Sequence, residues 1–226
     1  MPDLKYFETV DEKERIQHEL VETIPIKDNN SPLISLKDSG FNLIFEPSIK
    51  KDYRYLVRKD IVEKIGRISQ ILNNQEKVLI IRSVWRSFHH QRLLWNDHFN
   101  IIKKNYPNKP IKEVREIASN FVASRKKSMH STGGAVDALI FDSKTNRIMD
   151  FGTNDGYKIT LDERCYPYHP DITSEARENR DLLISLFEKE DFVVDLKEYW
   201  HFDYGNVIWA IEKSKEYAIY GIIKTY

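Results

Sequence analysis

The chain has 226 residues, of which 41% are hydrophobic, which is enough apolar material for one substantial core. Lys and Arg together number 35, as do Asp and Glu, so the formal net charge is zero. Because there is no long basic run, we do not expect nucleic acid or an anionic membrane as a partner. The single cysteine, Cys165, cannot form an intrachain disulfide, so packing, with or without a metal, must hold the fold together.

The N-terminal segment MPDLKYFETVDEKER contains no apolar signal core, and no run of about 18 apolar residues occurs anywhere in the sequence. We therefore predict a soluble, cytoplasmic protein with no membrane segment. A secreted or periplasmic mature form, from which a signal peptide has been removed, would have the same sequence. Nothing in the sequence predicts the oligomeric state.

The first part of the chain divides into a weakly patterned segment and a strongly patterned one. Residues 1–50 are mixed in character and interrupted by prolines, so we predict an N-terminal extension of loops and extended segments, packed on a catalytic domain at 51–226. From Val57 to Leu72, apolar residues recur at three- and four-residue steps, which predicts an amphipathic helix. The apolar run Val78–Ile81 then predicts a buried strand.

Two helices and a hairpin are predicted in the middle of the chain. Ser87 has the character of an N-cap for a helix through Lys104, and Pro110 suits the first position of the next helix. Residues 134–141 have strand composition, the polar segment 142–147 predicts a turn, and residues 148–151 can return as a paired strand.

The last third predicts one more helix, at 174–189, followed by strand-like segments at 192–194 and 199–204. We find no internal repeat and no clear interdomain linker. The predicted fold is therefore α+β, a single compact domain with a largely antiparallel central sheet and flanking helices.

Two compact motifs contain the residue types of a catalytic zinc site. The first runs from Ser128 to Asp137 and includes His130, and the second is Glu198-Tyr-Trp-His201. Such a site usually has three protein ligands and a fourth position for water, whose pKa the metal lowers. His130, Asp137 and His201 can supply those ligands. Glu198 is then free to take the proton of the water and pass it to the leaving amine.

The spacing within the motifs predicts local geometry. Residues three apart in a strand face opposite sides, so Glu198 and His201 converge only if the chain bends between them. We therefore expect Glu198 at a strand entrance or in an irregular turn. We expect His130 in the loop before the strand of Asp137, where Gly133–Gly134 permits a backbone conformation that larger residues resist.

Together the motifs, SMHSTGGAVD and EYWHF, resemble the paired signatures S-x-H-x-x-G-x-A-x-D and E-x-W-H of the zinc D-alanyl-D-alanine dipeptidase and carboxypeptidase family. The resemblance runs from about Tyr53 to Tyr204. It is closest to the dipeptidase branch in three stretches between the motifs: Met149–Thr153, Leu161–Arg164 and Ala176–Arg180. It implies a hedgehog-like α+β fold, a single zinc ion per chain and a small dipeptide as substrate.

The resemblance also implies a role for individual residues. It makes His130, Asp137 and His201 the zinc ligands and Glu198 the general acid and base. In the same comparison Ser128 binds the substrate carboxylate.

Two further residues receive roles from the resemblance. Arg86, rather than Arg82, matches an arginine that stabilises the tetrahedral intermediate, although this chain has Ser87 where the family more often has proline. Asp155 is the candidate for binding the substrate amino group. The spacing around Asp155 differs from the family pattern, so substrate selectivity can differ as well.

Three functions compete. The favoured one is a zinc metallopeptidase that hydrolyses D-Ala-D-Ala or a related dipeptide. The first alternative is a peptidoglycan D,D- or L,D-carboxypeptidase or endopeptidase with a more open groove. The second, from another class, is a zinc-stabilised binding domain that has lost catalysis. The combination of Glu198 and Arg86 argues against this last function, because a structural metal site has no need of a spare base.

Overall fold

Helices pack against a central sheet in the structure, a computed structural model that describes residues 4–119, 128–153 and 163–224. The helices are α1 Leu4–Val21, α2 Lys59–Asn73, α3 Phe88–Asn105, α4 Ile111–Ser119, α5 Ser174–Lys189 and α6 Val207–Glu212. The strands are β1 Leu33–Ser35, β2 Leu43–Phe45, β3 Leu56–Arg58, β4 Lys77–Ser83, β5 Ala135–Asp142, β6 Arg147–Ile148, β7 Val193–Val194 and β8 His201–Asp203.

The central sheet has the strand order β2-β4-β5-β8-β7, and β6 also pairs with β5. Strand β2 runs parallel to β4, whereas the other pairings of this sheet are antiparallel. The sheet is therefore mixed, and the prediction of an α+β fold with a largely antiparallel sheet is confirmed. A second, two-stranded antiparallel sheet joins β1 to β3.

The register of β4, β5 and β8 places residues of the functional site side by side. Asp137 of β5 lies opposite Ser83 of β4 on one side and opposite His201 of β8 on the other. The pairing of β4 with β5 is irregular between Ile81 and Ser83, at the end of β4. Such a bulge bends the strand and redirects the residues that follow, which here lead into Arg86.

The core forms between the sheet and the apolar faces of α2 and α5. The buried face of α2 consists of Ile61, Ile65, Ile68 and Leu72. In α5, Phe187 is fully buried and stacks on Phe202 of β8, with ring centroids 3.9 Å apart. Burying side chains of this size contributes about 2–3 kcal/mol each, which anchors both helices to the sheet that carries the site.

Several predicted elements are confirmed. Helix α2 follows the predicted periodicity, and α5 has the predicted bounds. Ser87 caps α3, since its hydroxyl accepts a hydrogen bond from the backbone N–H of His90. The strand predicted at 148–151 is shorter than expected: Ile148, together with Arg147, pairs with β5, and Met149 adds one hydrogen bond from its N–H to the carbonyl oxygen of Ile140.

The prediction that residues 1–50 contain only loops and extended segments is wrong, because α1 occupies Leu4–Val21. Of the residues in this helix whose burial is described, only Val10 and Gln17 are buried, so the helix does not bury a continuous apolar face along its length. Its four Glu residues, two Lys residues and one Gln nevertheless favour a helix intrinsically. Among the described residues, no helix combines the length and the apolar character that crossing a bilayer requires.

Candidate metal centre and catalytic site

The fold brings the three predicted metal ligands together. His130 lies in a 3-10 turn, Met129–Thr132, immediately before β5, while Asp137 lies within β5 and His201 opens β8. Their possible ligand atoms all lie within 4.8 Å of one another, and all three residues are buried. Gly133, which ends the turn, has φ +77°, a left-handed conformation that a side chain would strain.

Each histidine has one ring nitrogen bound to an outer acceptor and the other facing Asp137. His130 Nδ1 is 2.9 Å from the carbonyl oxygen of Val84, which can only accept, so the N–H lies there and Nε2 is left 3.2 Å from Asp137 Oδ2. His201 Nε2 is 3.3 Å from Asp203 Oδ1, and its Nδ1 is 2.8 Å from Asp137 Oδ1. Outer acceptors of this kind fix the ring orientation of metal-binding histidines.

The charges of the cluster favour a cation at its centre. Burial raises the pKa of Asp137, but His130 and then His201 hold it well below its usual range. Burial, followed by the charge of Arg86, lowers the pKa of His130 to about 4, so this imidazole is neutral, as a metal ligand must be. Burial also lowers the pKa of His201, but Asp203 and Asp137 together raise it well above its usual value.

The raised pKa of His201 means that the surrounding carboxylates favour a positive charge between His201 and Asp137. Two imidazoles and a carboxylate are also a ligand set that suits zinc and leaves a position open for catalysis. The residues present therefore fit a catalytic metal ion.

Glu198 lies in a turn rather than in a strand, as predicted. The Asp195 carboxylate accepts hydrogen bonds from the backbone N–H groups of Lys197, at 2.8 Å, and Glu198, at 3.0 Å. The N–H of His201 donates to the carbonyl oxygen of Glu198 at 3.0 Å, which closes the turn. The bend brings Glu198 Oε2 to 4.0 Å from His201 Nδ1.

The surroundings of the Glu198 carboxyl group suit proton transfer. Its side chain is 39% exposed, yet the carboxyl group lies close to Asp195 and Asp137. Although part of the side chain is exposed, the surrounding protein desolvates the carboxyl group, and this desolvation, followed by the negative charge of Asp195, raises the pKa of Glu198 to about 8. A carboxyl group whose pKa is raised holds a proton more readily than a free carboxyl group, which suits the step in which a proton passes to the leaving amine.

Arg86 completes the cluster on the opposite side of Asp137. Its Nη2 donates to Asp137 Oδ2 at 2.8 Å, and its Nε donates to the hydroxyl of Ser83 at 2.7 Å. Its Nη1 lies 3.5 Å from Gln91 Oε1. The side chain is 13% exposed. The guanidinium is therefore held by several partners at the edge of the metal cluster.

The other predicted residues lie elsewhere or outside the described part of the chain. Arg82 pairs with Glu46, its Nε lying 2.7 Å from the carboxylate, and it takes no part in the cluster described above. Ser128 directly precedes the 3-10 turn and is buried, with 3% of its surface exposed. Its carbonyl oxygen accepts from the N–H of Ser131. Asp155 falls outside the described residues.

Two residues that position the site were missed by the sequence reasoning. Asp203 is two positions after His201, and residues two apart in a strand face the same side, so its place beside that histidine was available from the pattern. Asp195 precedes Lys197 and Glu198 in the way typical of an Asx turn, in which a carboxylate binds the backbone two residues on.

Comparison with known proteins places the chain among the peptidases. Residues 42–217 match the peptidase family described as D-Ala-D-Ala dipeptidase. The chain belongs to this family. The fold, with its buried histidines and carboxylates, is thus that of a hydrolase of peptide bonds.

Two relatives carry the name D-alanyl-D-alanine dipeptidase. The one from Escherichia coli (strain K12) is 27% identical over 170 residues, which are 75% of this chain and 77% of the relative. The one from Enterococcus faecium is 31% identical over 104 residues, which are 46% of this chain and 48% of the relative.

Two solved structures align over most of the chain. The LD-carboxypeptidase LdcB aligns with a TM-score of 0.48 and 15% identity, over 84% of this chain and 76% of that protein. The D,D-pentapeptidase VanY, in complex with Zn(II), aligns with a TM-score of 0.45 and 12% identity, over 86% of this chain and 94% of that protein.

Proposed function

We propose that this chain is a zinc-dependent dipeptidase that hydrolyses D-Ala-D-Ala, or a closely related dipeptide, to free amino acids. The observation that carries the proposal is the position of Glu198, 4.0 Å from His201 and outside the cluster of three candidate ligands. A structural metal site needs no such carboxylate. Membership of the D-Ala-D-Ala dipeptidase family supports the substrate class.

His130, Asp137 and His201 would hold a single zinc ion through the two imidazole nitrogens and the carboxylate that face one another. When bound, zinc supplies a Lewis acid that polarises the scissile carbonyl and lowers the pKa of water. Val84 and Asp203 keep each imidazole turned toward the cluster, which is the usual way in which a protein presents histidine ligands.

Glu198 is the proposed general base and acid. Hydrolysis of a peptide bond requires that the attacking water lose a proton and that the departing amine gain one. The carboxylate, whose turn faces the cluster and whose surface is partly exposed, can take the first proton and return it to the amine. The turn at Asp195 holds this carboxylate in place for both transfers.

Arg86 is proposed to stabilise the negative charge that develops on the carbonyl oxygen. Its guanidinium is held by Ser83 and Asp137, so little reorganisation is needed when the charge appears. Ser128 is proposed to bind the substrate carboxylate and Asp155 the substrate amino group. All of these residues lie within 51–226, which we propose as the catalytic domain, with residues 1–50 as an extension packed on it.

The test is the release of free D-alanine by the zinc-loaded protein. D-Ala-D-Ala is assayed beside L-Ala-L-Ala and amino-acetylated D-Ala-D-Ala, with a chelated sample and a chelated sample restored with zinc as controls. Cleavage of only the free D,D-dipeptide supports the proposal. Cleavage of the acetylated peptide would identify a cell-wall carboxypeptidase, and no cleavage of any of the peptides by the zinc-loaded protein would favour a binding domain.

A further inference from the structure

Helix α1 precedes the residues that match the family, yet it contacts the turn that carries Glu198. Lys197, the neighbour of Glu198, directs its side chain toward α1, where its Nζ lies 2.7 Å from Glu14 Oε2 and 3.6 Å from Asp11 Oδ1. The matched region begins at residue 42. A contact from outside the family's common region therefore reaches the residue beside the proposed base.

Helix α1 is itself fixed at several points along its length. Near its start, the Phe7 ring packs edge-on against the rings of Tyr166 and His169, at centroid distances of 5.9 and 5.3 Å. Near its end, the Gln17 amide donates to the Glu212 carboxylate of α6. Contacts at both ends thus fix α1 to the rest of the protein, so the helix can hold the Lys197 side chain in place.

The turn has one support on its inner side and one on its outer side. On the inner side, Asp195 binds the N–H groups of Lys197 and Glu198. On the outer side, the Lys197 ammonium binds α1, and its Nζ also lies 5.7 Å from the centroid of the Tyr166 ring. Both members of the pair with Glu14 are partly shielded, with 31% and 35% of their side chains exposed.

We propose that Lys197 is a positioning residue: by pairing with Glu14 and Asp11 of α1, it holds the turn so that the Glu198 carboxylate stays at working distance from the metal cluster. The inference rests on the proposed role of Glu198 as the base. It gives the N-terminal helix a part in catalysis, although no residue of that helix reaches the described cluster.

The first test is Lys197→Met, which keeps the apolar stem and removes the charge. We expect kcat for D-Ala-D-Ala to fall about threefold to fivefold. A change of this size corresponds to the free energy that a partly exposed ion pair contributes. KM and zinc content should stay native, because the pair contacts neither substrate nor ligands. Lys197→Arg should restore kcat, since it restores the charge. Thermal unfolding measured on the same samples shows that the variants are folded.

The second test separates the pair from general charge effects. Glu14→Gln should lower kcat in the same way, whereas Glu12→Gln, an exposed residue of the same helix with the same charge change, should leave kcat native. The double variant Lys197→Met with Glu14→Gln should be no slower than Lys197→Met, because both changes remove one interaction. Added salt should lower the native kcat toward the Lys197→Met value.

A native kcat in Lys197→Met, additive losses in the double variant, or an equal loss in Glu12→Gln would overturn the inference. Glu198→Gln is assayed beside these variants to keep the two proposals distinct. If Glu198→Gln retains native turnover, the proposed function itself fails. If Glu198→Gln is inactive while Lys197→Met is native, only the role of Lys197 and α1 fails.

Discussion

Arg180 of α5 is predicted to be a main source of stability for the segments around the site. Its side chain is fully buried. Its Nε donates to the carbonyl oxygen of Phe151 at 2.8 Å, its Nη1 to that of Tyr166 at 2.6 Å, and its Nη2 to that of Arg164 at 2.6 Å. The guanidinium also lies 4.2 Å from the centroid of the Tyr199 ring, next to Glu198.

The substitution Arg180→Met fills much of the same volume but leaves the buried carbonyl group of Phe151 and the partly buried carbonyl groups of Tyr166 and Arg164 without these donors. A buried carbonyl group costs about 1–3 kcal/mol when it is left unsatisfied, and a partly buried one costs less because water can replace the lost donor. Part of that cost is offset because a charged guanidinium no longer has to be buried. We expect a net loss of about 2–4 kcal/mol in the free energy of unfolding. For a chain of this size, that lowers Tm by about 10 °C.

Thermal unfolding followed by circular dichroism measures the loss. Arg177→Met is the matched control, because Arg177 lies one turn earlier in α5, is only partly buried, and donates to the carbonyl oxygens of His169 and Pro170. We expect the control to lose about 1 kcal/mol. Equal Tm values for the two variants, within about 2 °C, would refute the argument from the carbonyl groups that Arg180 binds.

Three further changes test the site and its support. Arg86→Lys should lower kcat by about 100- to 1,000-fold with zinc retained, because a fixed donor at the developing charge is lost; steady-state kinetics and metal analysis measure both. Asp203→Asn should weaken zinc binding by about 10- to 100-fold, measured by competition with a chelator, since the outer partner of His201 loses its negative charge. Although burial raises the pKa of Asp28, backbone N–H groups and then Arg58 lower it overall. Stability from Asp28 is therefore present above its unfolded pKa of about 4 and lost as pH falls through the lower folded value, so Asp28→Asn should flatten the acid limb of a Tm-against-pH curve.

Strong periodicity made parts of the fold predictable. The apolar steps of α2 and α5 predict their helices because each buries one continuous face against the sheet. Helix α1 shows the opposite case, since it has almost no buried stripe and is held by side-chain contacts with distant residues such as Lys197 and Glu212. No local pattern in the sequence reports contacts of that kind.

The site was predictable where local geometry determines it. The three-residue spacing of Glu198 and His201 requires a bend, and the structure has one. The support of Arg86 was not predictable, because its contact with Ser83 depends on the irregular pairing at the end of β4. A bulge of this type places an extra residue in a strand without a distinctive sequence signal.

The most direct test of the central claim combines metal analysis and turnover of Glu198→Gln. The account predicts that this variant binds zinc as the native protein does, because Glu198 is not among the ligands, while kcat for D-Ala-D-Ala falls by about 100- to 10,000-fold. The parallel variant His201→Ala should lose both zinc and turnover. Native turnover in zinc-loaded Glu198→Gln, or loss of its zinc, would contradict the account.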